Sequence, residues 1–522
     1  MPEGAVPTKA TVLVIGGGPG GSYSAAVLAR EGVDVVLLEA DKFPRYHVGE
    51  SQLASLRHFL RFIDLEKEFE AFGFQRKDGA GFKLNRFKRE GYTDFVSQDP
   101  NNFSWNTVRS QADELMLRHA GRCGANVIEE TKVTELEFEG IGEKAPIAAL
   151  WKQKSGQTGR ITFDYLIDAS GRNGIMSSKY LKNRQFNSLL KNVACWGYWS
   201  GTNKYLPGTS RENSPLFEAL TDESGWAWFI PLHDGTTSVG IVMNQDISNQ
   251  KKADTKARGE DTSLTAHYLS ELDRAPNLKA LIGNGVHVKK SDAPLVSAAS
   301  DYSYSATFYA GPRYRIVGDA GAFIDPYFSS GVHLAIAGGL SAAATICAAI
   351  RGDCTDAEAI AWHTAKVDTS YTRFMLVVLS AYHQIRAQEA PVLAKTEEDN
   401  FDRAFDFFRP IIQGNSDVGR KLEGDDLRKT VEFCAVHAYE PSLPEERNEL
   451  VSKFGDPLQK LPVVDAEDTE EEAQKKRLLK GVAVRKLMRT EDIIHIDNFV
   501  ADNLLGFNMR LKKGSLGLVK VQ

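Results

Sequence analysis

Six consecutive residues, Gly16-Gly17-Gly18-Pro19-Gly20-Gly21, constrain this chain more than any other feature because of what flanks them. Thr11 to Ile15 is a continuous, mostly β-branched run, and Ser22 to Arg30 carries helical apolar spacing, so the glycines stand where a strand turns into a helix. Gly32 stops that helix and Val33 to Leu38 forms a second apolar run leading into Glu39, so residues 11 to 39 read as one βαβ unit with parallel strands. Gly16, Gly18 and Gly21 satisfy G-x-G-x-x-G in this context. Gly16 permits the tight turn, Gly18 lets the backbone approach a pyrophosphate, and Gly21 allows close helix–strand packing. Gly17 and Gly20 complete the loop, whose free N–H groups and helix dipole favour a diphosphate. Glu39, 18 residues past Gly21, is placed to accept from adenosine ribose hydroxyls. A glycine motif alone would be an ordinary turn; strand, helix and acid in register predict dinucleotide binding.

The rest of the chain must carry more than this unit, since 522 residues exceed one hydrophobic core and suggest two to four packed units. Hydrophobic residues at 42% and charged residues at 25% are globular usage rather than disorder. A net charge of -6 without a basic stripe excludes a nucleic-acid role. Cys123, Cys195, Cys347, Cys354 and Cys434 are scattered and lack metal-ligand spacing, so no metal is expected and the thiols read as reduced, in a cytoplasmic protein. Met1 to Ala10 has charges and a proline but no apolar h-region, which predicts no secretory signal. Leu334 to Ile350 falls just short of a membrane span of roughly 18 residues and reads as a buried core helix.

Ala148 to Gln153 and Arg160 to Ile167 flank Ser155-Gly156 as antiparallel strands; Gly225 to Pro231 and Thr236 to Met243 do the same around His233-Asp234-Gly235. From His333 the pattern turns helical and continues through most of residues 355 to 440. The fold class is therefore α/β, with a discontinuous Rossmann-like dinucleotide domain (8–180 and 295–350), a β-rich substrate region (181–294) and a mainly helical C-terminal part (351–522). The block Asp465 to Arg477, acidic then basic, reads as a solvated segment.

Four further elements turn the dinucleotide reading toward FAD: Arg45-Tyr46-His47-Val48-Gly49-Glu50-Ser51, the isolated Arg109, the short apolar strand Arg315-Ile316-Val317 and the Gly318-Asp319 that ends it. Together with the glycine loop they resemble the flavin monooxygenase superfamily over the first 350 residues. The resemblance implies FAD, with Arg45, Glu50, Arg109 and Asp319 among its contacts and Asp319 on the ribityl chain. By itself Arg109 would be a helix surface charge near Asp113.

Within that superfamily, Trp226-Ala227-Trp228-Phe229-Ile230-Pro231 matches W-x-W-x-I-P, Gly79-Ala80-Gly81-Phe82-Lys83 matches a lysine-bearing motif, and Phe323 to Val332 matches a loop motif. All three resemble flavin-dependent halogenases, most closely fungal ones acting on phenolic polyketides. Trp226 and Trp228 alternate on a strand and so share a face; the resemblance makes them a wall between substrate and flavin, where core packing is the bland alternative. It makes Lys83 the catalytic lysine, otherwise a solvated side chain. It makes Ser330 and Gly331 the halide site, with Val332 beside the flavin, where the same residues could simply cap a helix. Phe328 departs from the tryptophan-halogenase pattern, which has a glutamate there, and this departure points toward phenols, whose own oxygen donates charge to the ring.

The implied chemistry runs from reduced FAD (FADH2) and O2 through a flavin hydroperoxide to hypohalous acid made from chloride or bromide, which Lys83 presents to the aromatic. Chlorination of a phenolic natural product is the expected activity, with a separate flavin reductase as partner and membrane association not expected. The competing readings are a flavin-dependent aromatic hydroxylase and a non-catalytic flavoprotein. Halide dependence separates the first, and production of peroxide alone the second.

Overall fold

The computed structural model describes residues 5–96, 99–140, 145–290, 293–388, 469 and 504–521. Its first sheet grows from the predicted βαβ unit. Lys9–Ile15 lies between Val35–Leu38 and Thr158–Asp168, parallel to both. Asn126–Ile128 extends the sheet beyond Val35–Leu38, and Tyr314–Ile316 beyond Thr158–Asp168. All four residues of Val35–Leu38 are buried, as a strand covered on both faces requires, and this is why it reads as an unbroken apolar run rather than an alternation. Helix Pro19–Arg30 starts on a proline whose missing N–H costs nothing at the first turn. It packs on helix Gly331–Arg351.

The predicted strand pair around Ser155-Gly156 forms, with Thr158–Asp168 antiparallel to Ala145–Gln153. So does the Gly225–Pro231 and Thr236–Asn244 hairpin, in which Gly235 adopts φ +77°. The strands of this second hairpin belong to a second sheet ordered Ala322–Phe323, Val296–Ala306, Arg184–Ser200, Thr236–Asn244, Gly225–Pro231, Leu216–Ala219, Gly79–Lys83, Gly91–Asp94. It thus takes strands from either side of the 181–294 substrate region read from the sequence. The parallel pairing of Gly79–Lys83 with Leu216–Ala219 is why: it ties a segment of the dinucleotide half into the second sheet.

Helix Gly331–Arg351 is long and apolar enough to cross a membrane, but 78% of its apolar window is buried inside the protein, which makes it a core helix. Helix Asp356–Ile385 follows, opened by a capping box in which Thr355 and Glu358 satisfy each other's end of the first turn. The rest of the expected helical stretch to residue 440, and the charged block from Asp465, lie outside the described residues apart from Thr469. Near the C-terminus the structure departs from the helical reading: Phe507–Arg510 and Gly517–Lys520 form an antiparallel hairpin. Phe507 and Met509 are buried at alternate positions, a period-two pattern too short to stand out in the sequence.

Candidate functional site

A cavity of about 770 Å³ opens where the two sheets meet. It is lined on one side by Gly16, Gly18, Gly20 and Glu39 and on another by Trp226 and Trp228. Arg45, Glu50, Arg109, Asp319, Gly331 and Val332 also face it, so the fold gathers twelve of the residues singled out in the sequence around one space. Gly17, Gly21, Lys83 and Ser330 do not line it.

The glycine loop divides its labour. A side chain on Gly21 would stand 1.9 Å from the Gly16 carbonyl, so Gly21 is a packing residue. A side chain on Gly18 would meet only the Arg45 guanidinium, at 3.7 Å, leaving the helix N-terminus open to the cavity. Glu39 is 7% exposed and accepts from the Gly17 amide at 2.5 Å and the Asp41 amide at 2.8 Å, which holds its carboxylate at the loop. This open cradle, with an acid at the second strand's end, fits the diphosphate and ribose of FAD.

Arg109 lines the cavity and is not a surface charge. It pairs with Asp113 at 2.9 Å as a helix neighbour, yet it is buried, and its Nη1 donates to the Val48 carbonyl at 2.9 Å. Arg45 shares Asp113 at 3.0 Å. The two guanidiniums hold the Asp113 carboxyl below its usual range although burial opposes them. Burial raises Asp319, partly offset by Arg172, Arg109 and Arg184. His47, exposed along the cavity, is drawn down to about 4, first by desolvation from the surrounding protein and then by Arg109.

Trp226 and Trp228 stand with ring centroids 5.9 Å apart, and their indole N–H groups donate to Tyr382 and Ser238 at 2.9 and 3.1 Å. Trp196 adds a third indole, 6.4 Å from Trp228, and donates to Tyr46 at 2.6 Å. Tyr46 touches Tyr198 at 3.0 Å, and Tyr198 donates to Glu50 at 2.8 Å. Glu50 thus has a protein partner as well as a place on the cavity wall. Sequence reasoning missed Trp196 and Tyr198, although their alternation on one strand puts them on one face, a signal present in Cys195-Trp196-Gly197-Tyr198.

In the loop before helix Gly331–Arg351, Ser329 takes φ +57° and lines the cavity. Ser330 occupies the N-cap position without making a side-chain cap, so the capping explanation of this motif does not apply. Its buried Oγ has no hydrogen-bond partner, and Gly331 faces open space. Phe328 is buried against Phe82 at 5.2 Å, with no carboxyl where the tryptophan-halogenase pattern places one.

Lys83 stands apart. Its neighbour Phe82 stacks on Phe217 on the cavity side, and Lys83 takes the opposite face of the strand, in register with Glu218. Its Nζ donates to the Lys88 carbonyl at 2.6 Å. Among the described residues no cluster of His, Cys, Asp and Glu could hold a metal ion.

A second lysine escaped the sequence reading. Lys77 is 2% exposed and donates to Ser51 Oγ and the Gln52 carbonyl, both at 2.8 Å, just behind the cavity wall at Ser51. Burial draws its pKa down from 10.5 to about 7. Between those values the unfolded chain holds the proton that the folded chain has shed, so stability contributed by this group rises with pH across that window. Thermal midpoints of wild type and Lys77→Met should therefore shift relative to each other in the wild type's favour as pH rises from about 7 to 10. Parallel curves would mean that Lys77 titrates like an exposed lysine.

Comparison with known proteins places this arrangement. The family model described as tryptophan halogenase matches residues 11–100 and 85–456. The flavin-dependent halogenase ascD of Acremonium egyptiacum is 53% identical over 531 residues, covering 99% of this chain and 93% of its own. The sulochrin halogenase gedL of Aspergillus terreus is 49% identical, covering 98% and 94%. Among solved structures, the myxobacterial chondrochloren halogenase CndH superposes with a TM-score of 0.65 at 26% identity, covering 82% of this chain and 97% of that one. The flavin-dependent brominase Bmp2 has the same TM-score at 23% identity, covering 81% and 98%, a likeness of fold.

Proposed function

Because this chain belongs to the tryptophan halogenase family and is an FAD-dependent halogenase, we propose that it chlorinates or brominates an electron-rich phenol of the polyketide type. Bound FAD, once reduced, supplies with O2 the oxidising power that turns halide into an electrophile. The chain's own residues do the rest. The glycine loop, Glu39, Arg45, Glu50, Arg109, Asp319 and Val332 hold and orient the cofactor. Ser330, whose buried hydroxyl lacks a partner, and the open Gly331 supply the halide position. Trp226 and Trp228 wall the aromatic off from the cofactor, and Lys83 delivers the electrophile.

The observation that carries the choice of a phenol is Phe328. Halogen addition leaves a cation on the ring; an indole gains from a nearby carboxylate, whereas a phenol supplies the charge from its own oxygen. A phenyl ring sealed against Phe82 suits the second case. The sulochrin named for the Aspergillus relative is the first compound to try. Incubation with sulochrin, chloride, FAD and a flavin reductase should give a product with the chlorine isotope pattern. A gain of oxygen instead, independent of halide, would return the hydroxylase reading. A separate flavin reductase is the proposed electron source, and the unpaired Cys123, Cys195, Cys347 and Cys354 support a reducing, cytoplasmic setting.

Phe328→Ala tests the same point. Emptying a buried aromatic site costs about 3–5 kcal/mol, so the variant should melt markedly lower. Below its transition it should still halogenate the phenol within about tenfold of wild type, since truncating a packing side chain leaves transition-state charge to the substrate oxygen. Abolished turnover in folded, FAD-loaded variant would give Phe328 a direct part in the chemistry.

A further inference from the structure

We infer that Asp325 and Tyr382 are a positioning pair that locks the tryptophan wall to the loop carrying Ser329, Ser330 and Gly331, an inference that rests on the halogenase reading of the cavity. Asp325 is 0% exposed. One carboxylate oxygen accepts from the Tyr327 amide at 3.1 Å, which fixes the turn Pro326–Phe328. The other accepts from the Tyr382 hydroxyl at 2.7 Å and from Asn192 Nδ2 at 3.0 Å. The Asp325 amide donates to Ser303 Oγ at 2.9 Å. Tyr382 arrives from the last turn of helix Asp356–Ile385, and its oxygen accepts from Trp226 Nε1 at 2.9 Å and from Asn192 Nδ2 at 2.8 Å.

The bonds run one way through the tyrosine: its hydroxyl donates to Asp325, and its oxygen accepts from the N–H groups of Trp226 and Asn192. Trp226 is gripped a second time by Tyr327, whose ring meets it edge-on at 5.0 Å and 85°. The same turn therefore holds both the indole face and, through Asp325 and Tyr382, the indole N–H. Ile324 and Pro326, on either side of Asp325, line the cavity with Trp226, while Asp325 and Tyr382 stand behind the wall. Neither residue lines this cavity, so the part assigned to them is to set where Trp226 stands relative to the loop of Ser329, Ser330 and Gly331.

Tyr382→Phe removes one oxygen and keeps the ring. In FAD-free protein carrying isotope-labelled tryptophan, the Trp226 indole N–H resonance, assigned by its loss in Trp226→Phe, should move on this substitution. FAD affinity should stay within about twofold of wild type, since the glycine loop is untouched. With sulochrin as acceptor and a β-diketone as trap for free hypohalous acid, halogenated sulochrin per reduced flavin oxidised should fall on the order of tenfold as trapped oxidant rises. Tyr382→Phe combined with Trp226→Phe should be no worse than the worse single variant, because both remove the same bond.

An unmoved indole resonance overturns the pair, as does unchanged product per flavin oxidised, or strict additivity, in an enzyme whose wild type halogenates. A wild type giving no halide-dependent product and no trapped oxidant refutes the halogenase reading instead, and the indole measurement still decides whether the lock exists.

Discussion

Gly18→Val should yield a folded protein that has lost its cofactor. Gly18 sits in extended backbone at φ -67° and ψ -178°, which a β-branched residue adopts freely, and only Arg45 comes near the added carbon. The side chain would instead project into the approach to the helix N-terminus, where the pyrophosphate must contact backbone N–H groups. FAD affinity should fall by on the order of a hundredfold, about 2.7 kcal/mol, while the thermal midpoint of the FAD-free protein stays near that of wild type. Gly21→Ala makes the contrast: a carbon 1.9 Å from the Gly16 carbonyl pushes the turn itself apart, so both folding and FAD binding should suffer. Calorimetry on apo protein with FAD titration reads both quantities. Wild-type affinity in Gly18→Val would mean the diphosphate lies elsewhere.

This loop was legible in the sequence because its meaning is local. Strand, turn and helix are contiguous, each residue has a steric reason to be what it is, and Glu39 follows at a fixed distance along the same unit. Hairpins closed by Ser155-Gly156 and Asp234-Gly235 were legible for the same reason. The tryptophan pair could be placed on one strand face by alternation alone. What could not be read is what chain crossing brings together. Nothing near Tyr382 announces that it meets Trp226, 156 residues away, or Asp325, 57 residues away. Lys77 looks like any strand lysine until the Ser51 and Gln52 segment closes over it. The C-terminal hairpin was lost to the helical pattern before it, since four-residue strands carry too few alternations to outweigh a long amphipathic run. Motif resemblance found the residues of the cavity; the hydrogen-bond wiring behind its wall needed coordinates.

Lys83 is where motif and geometry pull hardest against each other, and its removal should have the largest effect on product. The motif makes it the residue that delivers the electrophile, whereas the fold puts its ammonium on the Lys88 carbonyl, on the face away from Phe82 and Phe217. That face is not inert. Glu218 lies in register beside it, with its carboxyl raised by burial, lowered in turn by Asn277, Leu278 and Lys83, and bonded to the Leu278 amide at 2.8 Å. Because Lys83 does not line the cavity, Lys83→Ala should leave FAD affinity and the oxidation of reduced flavin by O2 at wild-type levels. If delivery passes through this amine, halogenated product should nevertheless fall by roughly a hundredfold or more, the scale of losing a group that acts on the reacting atom. Oxygen uptake with halogenated product measured in the same reaction separates the two half-reactions. Halogenation at the wild-type rate and ring position would show that the electrophile never leaves the tryptophan-walled cavity, and that Lys83 serves only to tie its strand to the following loop.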